Sequence, residues 1–121
     1  MGYIIKTNKI FYDFIKNLDV IEQKLRINEP APLVFHKYSN QLTYVKQGWG
    51  LVALNRKISG IASGDIILIP AKMSHTFLTV KKEIVLLHYY WPRIKEGDRE
   101  IVESVFRGWE KIINLRSYKK C

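Results

Sequence analysis

Gly64-Asp65-Ile66-Ile67-Leu68-Ile69-Pro70-Ala71-Lys72-Met73-Ser74-His75 carries the strongest structural signal in the chain. Gly64-Asp65 is a turn signal. The four residues after it form an unbroken apolar run, which reads as a buried strand. Pro70 has no N–H to give a central ladder, so it ends that strand. Five residues on, His75 opens a second apolar and β-branched run, Thr76-Phe77-Leu78-Thr79-Val80. A turn, a buried strand, a proline break and a histidine at the next strand's mouth make a barrel-like arrangement.

Upstream and downstream the pattern stays β. Leu33 to Tyr38, Leu42 to Lys46, Gly50 to Leu54 and Lys57 to Ile61 precede the stretch, and Ile84 to Trp91 follows it. Short strands with turns at close spacing predict a sandwich or closed barrel. Helical signals flank this region. Phe11, Phe14, Ile15, Leu18, Ile21 and Leu25 recur at helical spacing, with Thr7 or Asn8 as a cap. Asn17-Leu18-Asp19 interrupts the pattern, so one helix and a helix plus an early strand are both open. After Pro92, Asp98 reads as an N-cap. Ile101, Val102, Val105, Phe106, Trp109, Ile112 and Ile113 then predict an amphipathic helix over about 98–115.

The spacing Gly64, Pro70, His75 resembles the second conserved motif of the cupin superfamily, which reads Gly, five residues, Pro, one residue, Gly, two residues, His, three residues, Asn. Lys72 stands at the second Gly and Thr79 at the Asn. A weaker copy of the first cupin motif lies upstream. Gly48 as its glycine puts Gln41 at the Glu position, His36 at the second His and Val34 at the first. The resemblance implies a mainly β fold. It is a single double-stranded β-helix, or jelly-roll, barrel over about 31–92 within one domain, 1–121, with an N-terminal helical segment and the C-terminal helix added. It also implies a metal site reduced to His36, Gln41 and His75. Two imidazoles and a neutral amide hold a divalent ion weakly, so no cofactor is expected beyond a weakly bound divalent metal.

Within the superfamily the chain resembles the N-terminal sensor domain of arabinose-regulator (AraC-type) transcription factors. Leu42-Thr43 through Gly48-Trp49-Gly50, the stretch from Gly64 to Pro70, His75-Thr76-Phe77 and Tyr89-Tyr90-Trp91-Pro92-Arg93 carry that likeness. It implies a ligand inside the barrel, held at positions that are Gln47, Phe77 and Leu87 here. It turns Val85, Leu87 and Tyr89 inward and His88 outward. Strand alternation places His88 with Ile84, Leu86 and Tyr90, and the outward turn supports reading it as a structural, hydrogen-bonded residue. The candidate ligand-binding residues are His36, Tyr38, Gln41, Gln47, His75, Phe77 and Tyr89. The expected function is a non-catalytic, sensor-like small-molecule-binding module for a sugar-like molecule or small acid. The alternative is a stand-alone metal-dependent cupin enzyme of isomerase or oxygenase type. Like those regulators, the chain is expected to form a homodimer through its last helix, with Trp109 at the seam.

Composition narrows the field. The chain has 121 residues, 47% of them hydrophobic, and a formal net charge of +9. That length suits one domain. The basic residues cluster clearly only at Arg116 to Lys120. No interleaved aromatics or helix-turn-helix signal accompany them, so direct nucleic-acid binding is not expected. No apolar run can span a bilayer, and Met1 to Lys6 lacks the form of a signal peptide. The only cysteine, Cys121, forms no internal disulfide, and a cytoplasmic setting follows as the default. No Ser-His-Asp constellation or Gly-rich phosphate loop is evident, and the barrel motifs hold no paired carboxylates.

Overall fold

A computed structural model describes residues 16–27 and 29–112. Its strands are β1 (Asp19–Arg26), β2 (Leu33–His36), β3 (Asn40–Gln47), β4 (Trp49–Leu54), β5 (Lys57–Ala62), β6 (Ile66–Ile69), β7 (His75–Leu78), β8 (Glu83–Trp91) and β9 (Arg99–Glu103). They form two antiparallel sheets, β1-β8-β3-β6 and β5-β4-β7-β2-β9.

Turn chemistry sets the register. Asn55 and Arg56 both have positive φ, 48° and 69°. That is the requirement of the type I′ hairpin that matches strand twist, and it joins β4 to β5. At the start of β6, the Ala62 N–H donates to Asp65 Oδ2 at 2.8 Å, and Gly64 takes φ 95°. Gly48, between β3 and β4, has φ 85°, and a Cβ there would lie 2.3 Å from the Glu83 carbonyl oxygen. Only glycine fits.

Alternation along the strands builds the interior. Leu25, Val45, Ile67, Ile69, Ile84 and Leu86 of the first sheet meet Val52, Ile61 and Phe77 of the second. Further along β3 and β8 the same inward face turns polar, with Thr43 and Gln41 following Val45, and His88 and Tyr90 following Leu86. The barrel is thus an aliphatic core at one end and a polar chamber at the other.

A second core lies on the outer face of the five-stranded sheet. Leu33, Ala53 and Leu78 point out of the barrel there and are covered by Phe106 and Trp109. The two rings meet edge-on, with centroids 5.2 Å apart.

Both predicted helices are corrected. Residues 19–26 are strand β1, which rules out the single helix and agrees with the early strand of the other reading left open. Ile21 and Leu25 are four apart, a separation compatible with both a helix turn and two strand repeats, and pairing along β8 decides for the strand. Residues 8–15 of the predicted N-terminal helix lie outside the described residues. Residues 99–103 are strand β9, which covers the edge of β2, and only a 3₁₀ turn, Arg107–Lys111, follows. An open strand edge offers a row of hydrogen bonds that local periodicity cannot register. The end of the predicted C-terminal helix, 113–115, lies outside the described residues. Trp109, placed above at a dimer seam on that helix, is 0% exposed within the chain's own second core. Among the described residues no helix is long and apolar enough to cross a membrane.

Candidate functional site

The polar chamber is a cavity of about 310 Å³. Its inner wall is His36, Gln41, His75, Phe77, His88 and Tyr90. Ala31, Pro32, Val34 and Ile94 add apolar surface, and Glu22, Gln23 and Arg99 reach it from β1 and β9. The rings form a continuous cluster. His36 and His75 stack with centroids 5.5 Å apart and planes 25° from parallel. Tyr90 lies 5.1 Å from His36, and Phe77 lies 5.4 Å from His88.

His36 and His75 are each oriented by a partner outside the chamber. His36 Nδ1–H donates to Asp98 Oδ2 at 2.9 Å. Asp98 is 0% exposed, and its other oxygen accepts the backbone N–H groups of Tyr38 (2.6 Å) and Ser39 (3.3 Å). Burial alone would raise the Asp98 pKa, but the bonds from Tyr38, His36 and Ser39 outweigh it and hold the carboxyl below its usual value. His75 Nδ1–H donates to the Met73 carbonyl at 3.0 Å. The Nδ1 atoms of His36 and His75 are thus engaged, while their Nε2 atoms make no hydrogen bond among the described residues.

His88 differs. Its Nδ1 accepts from Thr43 Oγ1 at 2.7 Å and from Gln41 Nε2 at 3.0 Å, so its Nε2 carries the proton and donates to Gln23 Oε1 at 2.7 Å. Burial pushes the His75 pKa down to about 4. The bond to Met73 opposes this, and the charges of His36 and Arg99 add to it. Burial, then His75 and His36, lowers His88 to about 4 as well. Burial raises Tyr90 to about 12 against the pull of Arg99. At neutral pH the chamber therefore presents neutral His75 and His88 imidazoles and an intact phenol.

Of the residues expected from the sequence, His36, Gln41, His75 and Phe77 line the cavity. Three do not. Tyr38 is 61% exposed, since β2 ends at His36 and alternation stops with it. Gln47 is exposed because the ladder with β8 bulges between Val45 and Gln47. Tyr89 faces the opposite side of its sheet, in an apolar groove with Leu18, Leu42, Leu68 and Trp91. The resemblance had set β8 one residue out of register, and a one-residue slip exchanges the faces of a strand. Alternation had grouped His88 correctly with Ile84, Leu86 and Tyr90. His88 is inward, not outward, with both nitrogens hydrogen-bonded within the chain. Tyr90, Gln23, Arg99 and Asp98 were missed. Alternation had grouped Tyr90 with His88, on the face that the resemblance turned outward. For Asp98 no signal was available, because its partner His36 is 62 residues away.

A cupin-like protein from Thermotoga maritima superposes with a TM-score of 0.69 at 20% identity, covering 81% of this chain and 74% of that one. The chain has the cupin fold. Two more solved structures share this fold. A histidine-to-glutamine variant of Streptomyces PAC13, solved with uridine, gives a TM-score of 0.66 at 18% identity over 74% of this chain and 72% of that one. Oxalate decarboxylase from Bacillus subtilis gives 0.65 at 17% identity over 71% of this chain but 24% of its own length. No protein-family model and no curated protein matches the sequence.

Cupin metal sites are built from imidazoles and a carboxylate, and this chain fits that set poorly. Among the described residues no group of three or more His, Cys, Asp or Glu side chains is placed to hold a metal ion. The donors left are Nε2 of His36 and His75 and Gln41 Oε1, which is buried without a partner among the described residues. His88 has both nitrogens engaged, and the Asp98 carboxylate is turned to Nδ1 of His36. Such a set would hold a divalent ion weakly at most.

Proposed function

We propose that the barrel is a receptor for a small organic molecule, a non-catalytic module similar in role to the sensor domain of arabinose-type regulators. One observation carries this reading: two stacked imidazoles, each tied off at Nδ1, leave Nε2 unpaired among the described residues in the lining of a half-open cavity with largely apolar surface. A few convergent polar atoms on apolar walls are the usual make-up of a small-molecule site. At ~30 Å³ per water-sized unit, about 310 Å³ admits roughly ten non-hydrogen atoms. The test is a thermal-shift screen of the chain against sugars and small acids. A ligand present at 100 times its Kd should stabilise the fold by about 2.7 kcal/mol. Phe77→Trp, which fills the chamber, should abolish that shift while keeping a cooperative melt. A shift that survives Phe77→Trp would place the ligand elsewhere.

A second reading, metal-independent acid–base catalysis, is favoured by the buried Asp98 carboxylate on His36. A carboxylate behind Nδ1 fixes the tautomer that leaves Nε2 free to take a proton. Pac13, described as a nucleoside dehydratase, shows that a related barrel can be an enzyme. Chemical conversion of the bound ligand, lost in Asp98→Asn with binding retained, would decide for catalysis.

A further inference from the structure

Arg99 is the one arginine or lysine lining the chamber among the described residues. It sits on β9 directly opposite His36 in the ladder with β2, so both side chains leave the sheet on the same face. Its guanidinium has no carboxylate within 4.0 Å among the described residues, because its neighbours are engaged elsewhere. Asp98 holds His36, Glu100 pairs with Lys37 at 2.9 Å, and Glu103 pairs with Arg56. Glu22 also lines the chamber, but Lys46 (3.5 Å) and Lys24 (3.9 Å) accompany it.

We infer that the ligand is a small monocarboxylic acid whose carboxylate docks on Arg99, with its body against Val34, Phe77 and Ile94 and a hydroxyl or carbonyl at the His36–His75 pair. The inference rests on the small-molecule reading above and adds the charge. A guanidinium presents a planar fork that a carboxylate meets with two parallel hydrogen bonds. A phosphate ester, carrying nearly two charges, would find one cation and apolar walls. A neutral sugar would leave the guanidinium unused and set hydroxyls against Val34, Phe77 and Ile94. The charge of Arg99 also reaches His75 and Tyr90, whose pKa values it lowers.

The experiment is calorimetric titration of the whole chain with 4-hydroxybenzoate and 6-hydroxyhexanoate, each beside its amide, and with D-ribose. The acids should bind roughly tenfold or more tightly than their amides, and added salt should narrow the gap. Arg99→Gln should lower acid affinity to that of the amide, and Arg99→Lys should keep part of the preference. Arg99 is exposed at the cavity's edge, so both variants should melt as the wild type does. Equal binding of acid and amide, or a preference that survives Arg99→Gln, overturns the proposal. Binding of D-ribose alone also overturns it but leaves the small-molecule reading standing. Binding of none of the five removes both.

Discussion

Lowering the pH from about 7.5 to about 4.5 should destabilise the fold by about 5 kcal/mol through two side chains, His75 and His88. Each has its pKa pushed down from 6.5 to about 4 in the folded chain, mainly by burial. An unfolded imidazole takes up its proton near pH 6.5, while the folded one resists to about 4. Stability is therefore complete above pH 6.5 and is lost as pH falls from 6.5 towards 4. At pH 4.5 linkage gives about 2.5 kcal/mol for each group. Asp98 adds to acid sensitivity only lower down. Its carboxyl is held below its usual value, so its contribution is present above the unfolded value of 3.8 and is lost below it. Urea unfolding, followed by tryptophan fluorescence at a series of pH values, measures the effect. The slope of stability against pH near 5.2 should correspond to about two protons taken up on unfolding. His88→Gln should halve that slope whatever it does to stability at pH 7.5. A flat profile between pH 6.5 and 4.5, or a slope indifferent to His88→Gln, would refute the assignment of these imidazoles as buried and neutral.

Asp98→Asn should cost about 2–4 kcal/mol, because an amide can replace only part of a buried carboxylate that accepts three hydrogen bonds. Urea titration at pH 7.5 checks this, and a loss under about 0.5 kcal/mol would rule out the anchoring role. Trp109→Ala should cost about 3–5 kcal/mol. Trp109→Phe should cost clearly less, since the buried indole N–H has no acceptor among the described residues. Trp109→Glu should unfold the chain rather than yield a folded monomer in light scattering. A folded Trp109→Glu variant would mean that the ring is not part of the second core.

Much of this barrel was legible in one dimension. Gly64, Pro70 and His75 placed the break between β6 and β7, and apolar runs marked most strands of both sheets. Alternation put His88 and Tyr90 on one face of β8. These are local properties, since a strand's period of two is carried by neighbouring residues. Four features were decided only by the tertiary structure. The strand fate of 19–26 and 99–103 depends on sheet edges supplied by β8 and β2. The exclusion of Gln47 depends on a bulge whose partner is β8. The enclosure of Trp109 depends on an outer sheet face made by Leu33, Ala53 and Leu78. The orientation of His36 depends on Asp98, which arrives with the segment after β8. In each case the deciding partner is distant along the chain, and periodicity holds no information about a contact that only folding brings within reach.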